Sequence, residues 1–171
     1  MPVDTASGIE PSKMEFLNYR VVELKLESGL EPSTTPRGIP DDSEWRIGIG
    51  LGDVAHYIDD DIYVSYVSAK MALLPSSIDK NQVKHDEENI LSAEGTIYGI
   101  FRIVTNTEID PALKQKLLLN QTPALLMPFL RAAISGLLAL AGYGAVPMPL
   151  INMAHMAETT PRRIVELKNK E

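Results

Sequence analysis

Between Met14 and Glu27 the side chains alternate in character: Val22, Leu24 and Leu26 fall on one side of an extended chain, and Glu23, Lys25 and Glu27 on the other. A period of two predicts a β-strand with one face covered. The pattern returns at "WRIGIGLGD", where Trp45, Ile47, Ile49 and Leu51 alternate with Arg46, Gly48, Gly50 and Gly52. One face of this second strand is large and apolar; the other is nearly bare backbone, which lets another layer or chain come close. "AHYIDDD" reads as an acidic turn, and Ile62–Leu74 as a third strand, apolar on both faces in its first half. Asn89–Val104 predicts a fourth strand, with Gly95 and Gly99 marking a bulge or a close approach. The stretches 28–44 and 75–88, rich in Pro, Gly, Ser and charged residues, are the polar connections.

After Val104 the period changes. Asp110-Pro111 is an N-cap followed by proline at the first helical position, and Leu113, Leu117 and Leu118 then share a face up to Asn120. Thr122-Pro123 repeats that start signal and predicts a longer helix to about Ala141, kinked or interrupted near Pro128. Residues 150–158 suggest a third helix. The tail "TTPRRIVELKNKE" is charged and reads as partly helical. Four strands followed by helices predict an α+β domain: a four-stranded antiparallel sheet with a C-terminal helical layer on one face. Residues 1–13 are expected to be disordered, 14–158 to form the domain and 159–171 a charged tail.

Ala132 to Ala154 is 23 residues without a charge, enough by count for a span, which needs ~20 predominantly apolar residues. Gly142 and Gly144 around Tyr143, then Pro147 and Pro149, break it. Cut at Gly142 it leaves Ala132 to Ala141, a length that suits a buried core helix. The competing reading is a small membrane protein anchored by 132–154.

Composition narrows the chemistry. The chain has 171 residues, 44% apolar and 6% aromatic, so Leu, Ile, Val and Met must supply most of the core. A formal charge of −7 and a pI near 5.0 argue against a nucleic-acid binder, which needs a basic stripe. With no cysteine there is no disulfide, thiol nucleophile or thiolate metal site. The N-terminus carries no apolar segment of the secretory kind, so a cytoplasmic location is expected. "GIGLG" lacks the strand–loop–helix context of a dinucleotide loop. His56, His85 and His155 are isolated, the Asp59–Asp61 run has no calcium-loop spacing, and no G-x-S-x-G elbow is present. The expectation is therefore a non-enzyme without cofactor or metal. What remains is a surplus of apolar side chains in the C-terminal half, among them Met127, Phe129, Leu137, Leu138, Met148, Met153 and Met156. Core is the plain reading of each, but methionine also suits surfaces that adapt to many shapes.

The stretch "TPALLMPFLRAAISGLL" resembles the helix motif of the SecB family of export chaperones: Pro123, Pro128, Phe129, Arg131 and Ile134 fall on its spacing. "PLINM" (149–153) is similar to the family's Pro-Val-Asn-Phe, "GIF" (99–101) to the end of its fourth strand, and 46–73 to its second strand, acidic turn and third strand. The resemblance covers about residues 14–156. It implies a SecB-like fold, assembly as a dimer of dimers through sheet edges and helices, and a holdase function: apolar grooves hold unfolded preproteins and pass them to SecA, without membrane insertion or nucleic acid. Groove candidates on that view are Trp45, Ile47, Phe101, Met127, Phe129, Leu137, Met148 and Met153. The SecA-facing patch maps onto Glu23, Glu27, Ser92 and Glu94, with Ser92 where the family has leucine. Three departures stand out: Ala132 replaces the Glu that follows the motif's arginine, the segment before Asn152 differs in length, and the tail is mixed rather than acidic. SecB-like relatives also serve as dedicated chaperones of antitoxins, which is the alternative function.

Overall fold

The computed structural model describes residues 13–29, 43–75, 91–104, 109–143, 146 and 148–168. The expected N-terminal disorder and most of the two polar connections lie outside the described residues. The elements run β1 (Met14–Ser28), β2 (Ser43–Leu51), β3 (Val54–Tyr57), β4 (Ile62–Pro75), β5 (Leu91–Ile103), α1 (Pro111–Lys116), a π-helical turn (Leu117–Gln121), α2 (Thr122–Leu140), α3 (Met153–Thr159) and β6 (Ile164–Leu167).

The expected four-stranded antiparallel sheet is corrected to a mixed, six-stranded one. Its order is β1-β5-β4-β3-β6, with β2 also on β4. β4 is long enough to hold two partners in line: β2 pairs with its second half, Leu51 opposite Val67, and β3 with its start, Ala55 opposite Val64. The two are halves of one line broken at Gly52-Asp53. There the Gly52 N–H donates to the Tyr66 carbonyl at 3.2 Å, while Asp53 turns aside. Asp53 accepts from the Arg163 backbone N–H (3.0 Å) and Nε (3.3 Å), which starts β6 alongside β3. β6 runs parallel to β3, Val54 opposite Ile164. The tail is thus a strand and not a partial helix: Pro161 stops the preceding helix, and β-branched Ile164-Val165 meets an unpaired edge.

α1, the π turn and α2 form one rod, Pro111–Leu140. Asp110 caps α1 by accepting from Ala112 N–H at 3.2 Å. The second start expected at Thr122-Pro123 does not open a new helix. Pro123 has no N–H for the Leu119 carbonyl, and the chain widens into the π turn there instead of breaking. The Thr122 hydroxyl donates to the Leu118 carbonyl at 2.6 Å and sits 2.9 Å from the Ser65 hydroxyl oxygen of β4, buried. α2 continues through Pro128. It ends with Gly142 at φ +86°, where Gly142 N–H donates to Ala139 O and Tyr143 N–H to Leu138 O. That is a Schellman cap, which favours glycine at the left-handed position. The 132–154 stretch is therefore a helix end, an irregular crossing and the start of α3, whose N-cap is Asn152, bonded to His155 N–H at 3.1 Å. Pro111–Leu140 itself is long and apolar enough, by length and composition, to cross a membrane. Here one side of it lies on the sheet.

That side is Leu126, Leu130, Ile134 and Leu138, four residues apart and fully buried. They meet the inward row of β5 (Leu91, Ala93, Ile97, Phe101) and of β4 (Tyr63, Val67, Ala69, Met71, Leu73). Each such large side chain contributes about 1.5–3 kcal/mol on burial. Gly95 and Gly99 lie under the rod: a Cβ at Gly95 would stand 3.1 Å from Ile134 Cγ1 and from Leu130 Cδ1. They mark a close approach and not a bulge. The bulges are on β1, where the pairing with β5 shifts between Phe16 and Asn18 and between Val21 and Glu23. Val22, expected on the apolar face, is the extra residue of the second bulge and is 56% exposed.

Candidate functional site

The rod rests mainly on β5, with β4 and β1 beside it. β2 lies to one side of it. Its inward row, Trp45, Ile47, Ile49 and Leu51, packs against the core cluster yet stays only half-buried. Among the described residues β2 pairs with β4 alone, which makes it an edge strand there. A half-covered apolar row on an edge strand offers alternating side-chain contacts, and a strand for main-chain pairing, to an extended peptide.

The eight groove candidates do not gather in one place. Phe101, Met127, Met148 and Met153 are buried, 0–6% exposed, and form part of the core. These four are core, the plain reading of such residues, and not part of an open groove. Trp45 and Ile47 stand on β2. Phe129 is at the opposite edge of the sheet, stacked on Tyr19 at 4.3 Å and 5.6 Å from Phe16, which in turn lies 5.2 Å from Phe101. Leu137 is half-buried on α2. Ile49 and Leu51 belong with Trp45 and Ile47, and the alternation already marked them.

A second apolar area was not legible as such. β1 is the edge strand at the far side of the sheet, with β5 its only partner among the described residues. Leu17, Tyr19, Val22 and Leu24 are exposed along it, as are Leu125 and Leu140 on α2, the last at 90%. The two bulges take Leu17 and Val22 out of the alternation, and bulges leave no simple trace in a period-of-two pattern.

The face of the sheet away from the rod is polar. Glu27 lies opposite Ser92, Lys25 opposite Glu94 and Glu23 opposite Thr96, so the four residues of the expected acidic patch share this face. Ser92 is buried. Lys25 sits among the three acids and bonds Glu27 at 2.7 Å. That hydrogen bond and the charge of Glu27 hold its ammonium pKa above the ordinary lysine value, with Glu94 and Glu23 adding to the rise. Nearby, Gly50 and Gly52 floor a hollow of about 330 Å³ walled by Tyr66, Ser68 and Thr96. Burial raises the Tyr66 phenol, helped by Tyr57 and by Tyr98, whose ring is 5.7 Å away.

Among the described residues no group of three or more His, Cys, Asp or Glu side chains is placed to hold a metal ion. His56 stacks on Tyr63 at 4.2 Å and reaches Asp61 at 3.2 Å in the Ile58–Asp61 turn; His85 lies outside the described residues.

A mixed sheet with a helical rod over one face is a SecB-like α+β arrangement. The SecB-like chaperone Rv1957 of Mycobacterium tuberculosis, solved in complex with a ChAD peptide from the Rv1956 HigA1 antitoxin, shares it with a TM-score of 0.59. The match covers 82% of this chain and 91% of that one at 8% sequence identity, a likeness of fold. No protein-family model matches the chain, and no curated protein matches it in sequence.

Proposed function

We propose that this protein is a chaperone that binds extended polypeptide segments, and that it serves one dedicated partner of the antitoxin kind. The observation that carries the reading is the half-covered row Trp45-Ile47-Ile49-Leu51 on β2, in a fold shared with a chaperone solved in complex with an antitoxin peptide. A segment laid along β2 would bury alternate apolar side chains against the row, at about 25 cal/mol per Å², and pair its backbone with the strand. This is binding without chemistry: no cofactor or metal enters it, and the protein acts in the cytoplasm.

The apolar side chains exposed along β1, which pairs only with β5 among the described residues, support assembly of copies into a homo-oligomer, a dimer of dimers as the SecB resemblance implies. Delivery of preproteins to SecA is the second reading. Its patch, Glu23, Glu27 and Glu94 around Lys25, is partly neutralised, which favours the dedicated partner.

Trp45 is the chain's one tryptophan, so its emission reports occupancy of the row. Addition of an unfolded client or an antitoxin-derived peptide should shift that emission to the blue, and stoichiometric protein should suppress client aggregation. Ile47→Asp should weaken binding about 10–100-fold, the value of one buried side chain of about 1.5–3 kcal/mol. Suppression of aggregation with unchanged Trp45 emission would move the site elsewhere; no suppression at all would end the chaperone reading. Pull-down separates a dedicated partner, as one dominant band, from a smear of preproteins. Glu23→Lys with Glu27→Lys should weaken a SecA-type partner and spare the client; equal loss of both removes that patch.

A further inference from the structure

β6 is four residues long, runs parallel to β3 and has no other strand partner among the described residues. Parallel pairing is slightly less stable per residue than antiparallel. The Val54 and Ile58 N–H groups donate to the Arg163 and Leu167 carbonyls at 3.0 and 3.1 Å. Arg163 adds its ion pair with Asp53, but its side chain is 81% exposed, and a pair so open to water adds little. Ile164 packs against the core, whereas Glu166 and Leu167 are exposed.

Arg162, two residues before the strand, works against docking. Its Nε, Nη1 and Nη2 are all shut off from water, and none has a hydrogen-bond acceptor. Burial lowers its pKa below the ordinary arginine value, partly offset by the charge of Asp53. A guanidinium that gives up its water without gaining a partner disfavours the state that buries it. α3, by contrast, is complete without the tail. Met153 and Ala157 are buried, and the last bond of its cap, from Thr160 N–H to Met156 O at 2.9 Å, closes before Pro161. The chain from Pro161 onward can leave without unwinding α3.

β2 and β3 are halves of one line on β4. β6 therefore occupies the strand position into which a segment laid along β2 would continue past Gly52-Asp53. We propose that β6 is a releasable strap: residues 161–167 open locally while the rest of the sheet stays folded, Arg162 regains its water, and a bound polypeptide extends from β2 onto the vacated edge of β3. Opening is a property of the chain itself; its use by a client rests on the reading of the β2 row.

Two measurements on the full chain test it. Amide exchange without client reads opening, because local release frees Val54 and Ile58 while the β4–β5 ladder stays closed. These two amides should exchange at least about tenfold faster than those of the ladder, and Arg162→Met should slow them about tenfold, since docking then buries no unpartnered charge. Protection equal to that of the ladder, or exchange in Arg162→Met as fast as in wild type, would overturn the strap. The second measurement locks it. Ala55 and Val165 are register partners, within the Cα spacing a disulfide needs, and the chain has no cysteine of its own. Ala55→Cys with Val165→Cys thus gives a strap closed by oxidation and freed by reduction. Fluorescently labelled lactalbumin, reduced and carboxymethylated so that it stays unfolded, should bind the oxidised form about tenfold more weakly than the reduced one, having lost the β3 edge. Equal binding to both forms would overturn the client's use of that edge. Absence of binding to wild type and to both forms is instead the failure of the chaperone reading, and the exchange rates then decide the strap by themselves.

Discussion

Two glycines on opposite faces of the sheet should respond to the same substitution with opposite signs. At Gly99 of β5, a Cβ would lie 2.5 Å from Leu126 Cδ2 and 2.9 Å from Phe101 Cε2. Ordinary contact between carbons is about 3.5–4.0 Å, so the first is short by about 1 Å. Leu126 and Phe101 are both fully buried, and neither has solvent to move into. Overpacking of this kind costs about 1–3 kcal/mol; replacing glycine within a strand returns about 0.5–1 kcal/mol. Gly99→Ala should therefore lose about 1–2 kcal/mol. At Gly48 of β2 a Cβ would meet nothing within 4 Å. Gly48→Ala should gain about 0.5–1 kcal/mol from the reduced freedom of the unfolded chain. The assay is urea unfolding followed by Trp45 emission, with protein concentration held constant because an oligomer's stability depends on it. With a slope of about 1–3 kcal/mol per M, the two variants' midpoints should stand about 1 M apart, on either side of wild type. A Gly99→Ala midpoint equal to wild type, or a Gly48→Ala midpoint that falls with it, would refute the account of the rod lying directly on the β5 backbone.

Thr122→Val removes the hydroxyl that joins the Leu118 carbonyl to Ser65; leaving those buried groups without a partner should cost about 1–3 kcal/mol, read by the same unfolding curve. Asp53→Ala should free Arg163 and loosen β6, seen as faster amide exchange at Val54 and Ile58, which donate to Arg163 and Leu167, while amides of the β4–β5 ladder keep their protection. Tyr66, raised by burial, holds its proton more tightly in the folded state, so its contribution to stability is present below about pH 10 and lost as pH rises through its folded value. Tyr66→Phe should flatten the alkaline fall in stability relative to wild type; an identical fall in both proteins would assign it to other groups.

Much of the architecture was legible in local pattern. The strands Met14–Ser28 and Ser43–Leu51 follow from alternation of side chains and Ile62–Pro75 from an apolar run, and the cap Asp110 from a residue whose short side chain bonds the first free N–H groups of a helix. What local pattern missed is long-range. Asp53 reads as the polar end of the second strand's pattern until Arg163 arrives beside it, and "RIVEL" reads as partly helical until β3 presents an edge. The groove candidates divided on the same ground: Phe101 and Trp45 are equally apolar in sequence, but the rod covers one and stops short of the other.

Sequence alone determined that this chain builds a sheet and then a helical layer, without thiol chemistry, because periodicity, capping and composition act over a few residues at a time. Tertiary structure alone decided which apolar residues are sealed and which stay open, that the sheet is mixed, and that one of two adjacent arginines is left without a partner. Those outcomes depend on where the rod comes to rest across the strands and on pairings between residues 110 positions apart, such as Asp53 and Arg163, which no local period encodes.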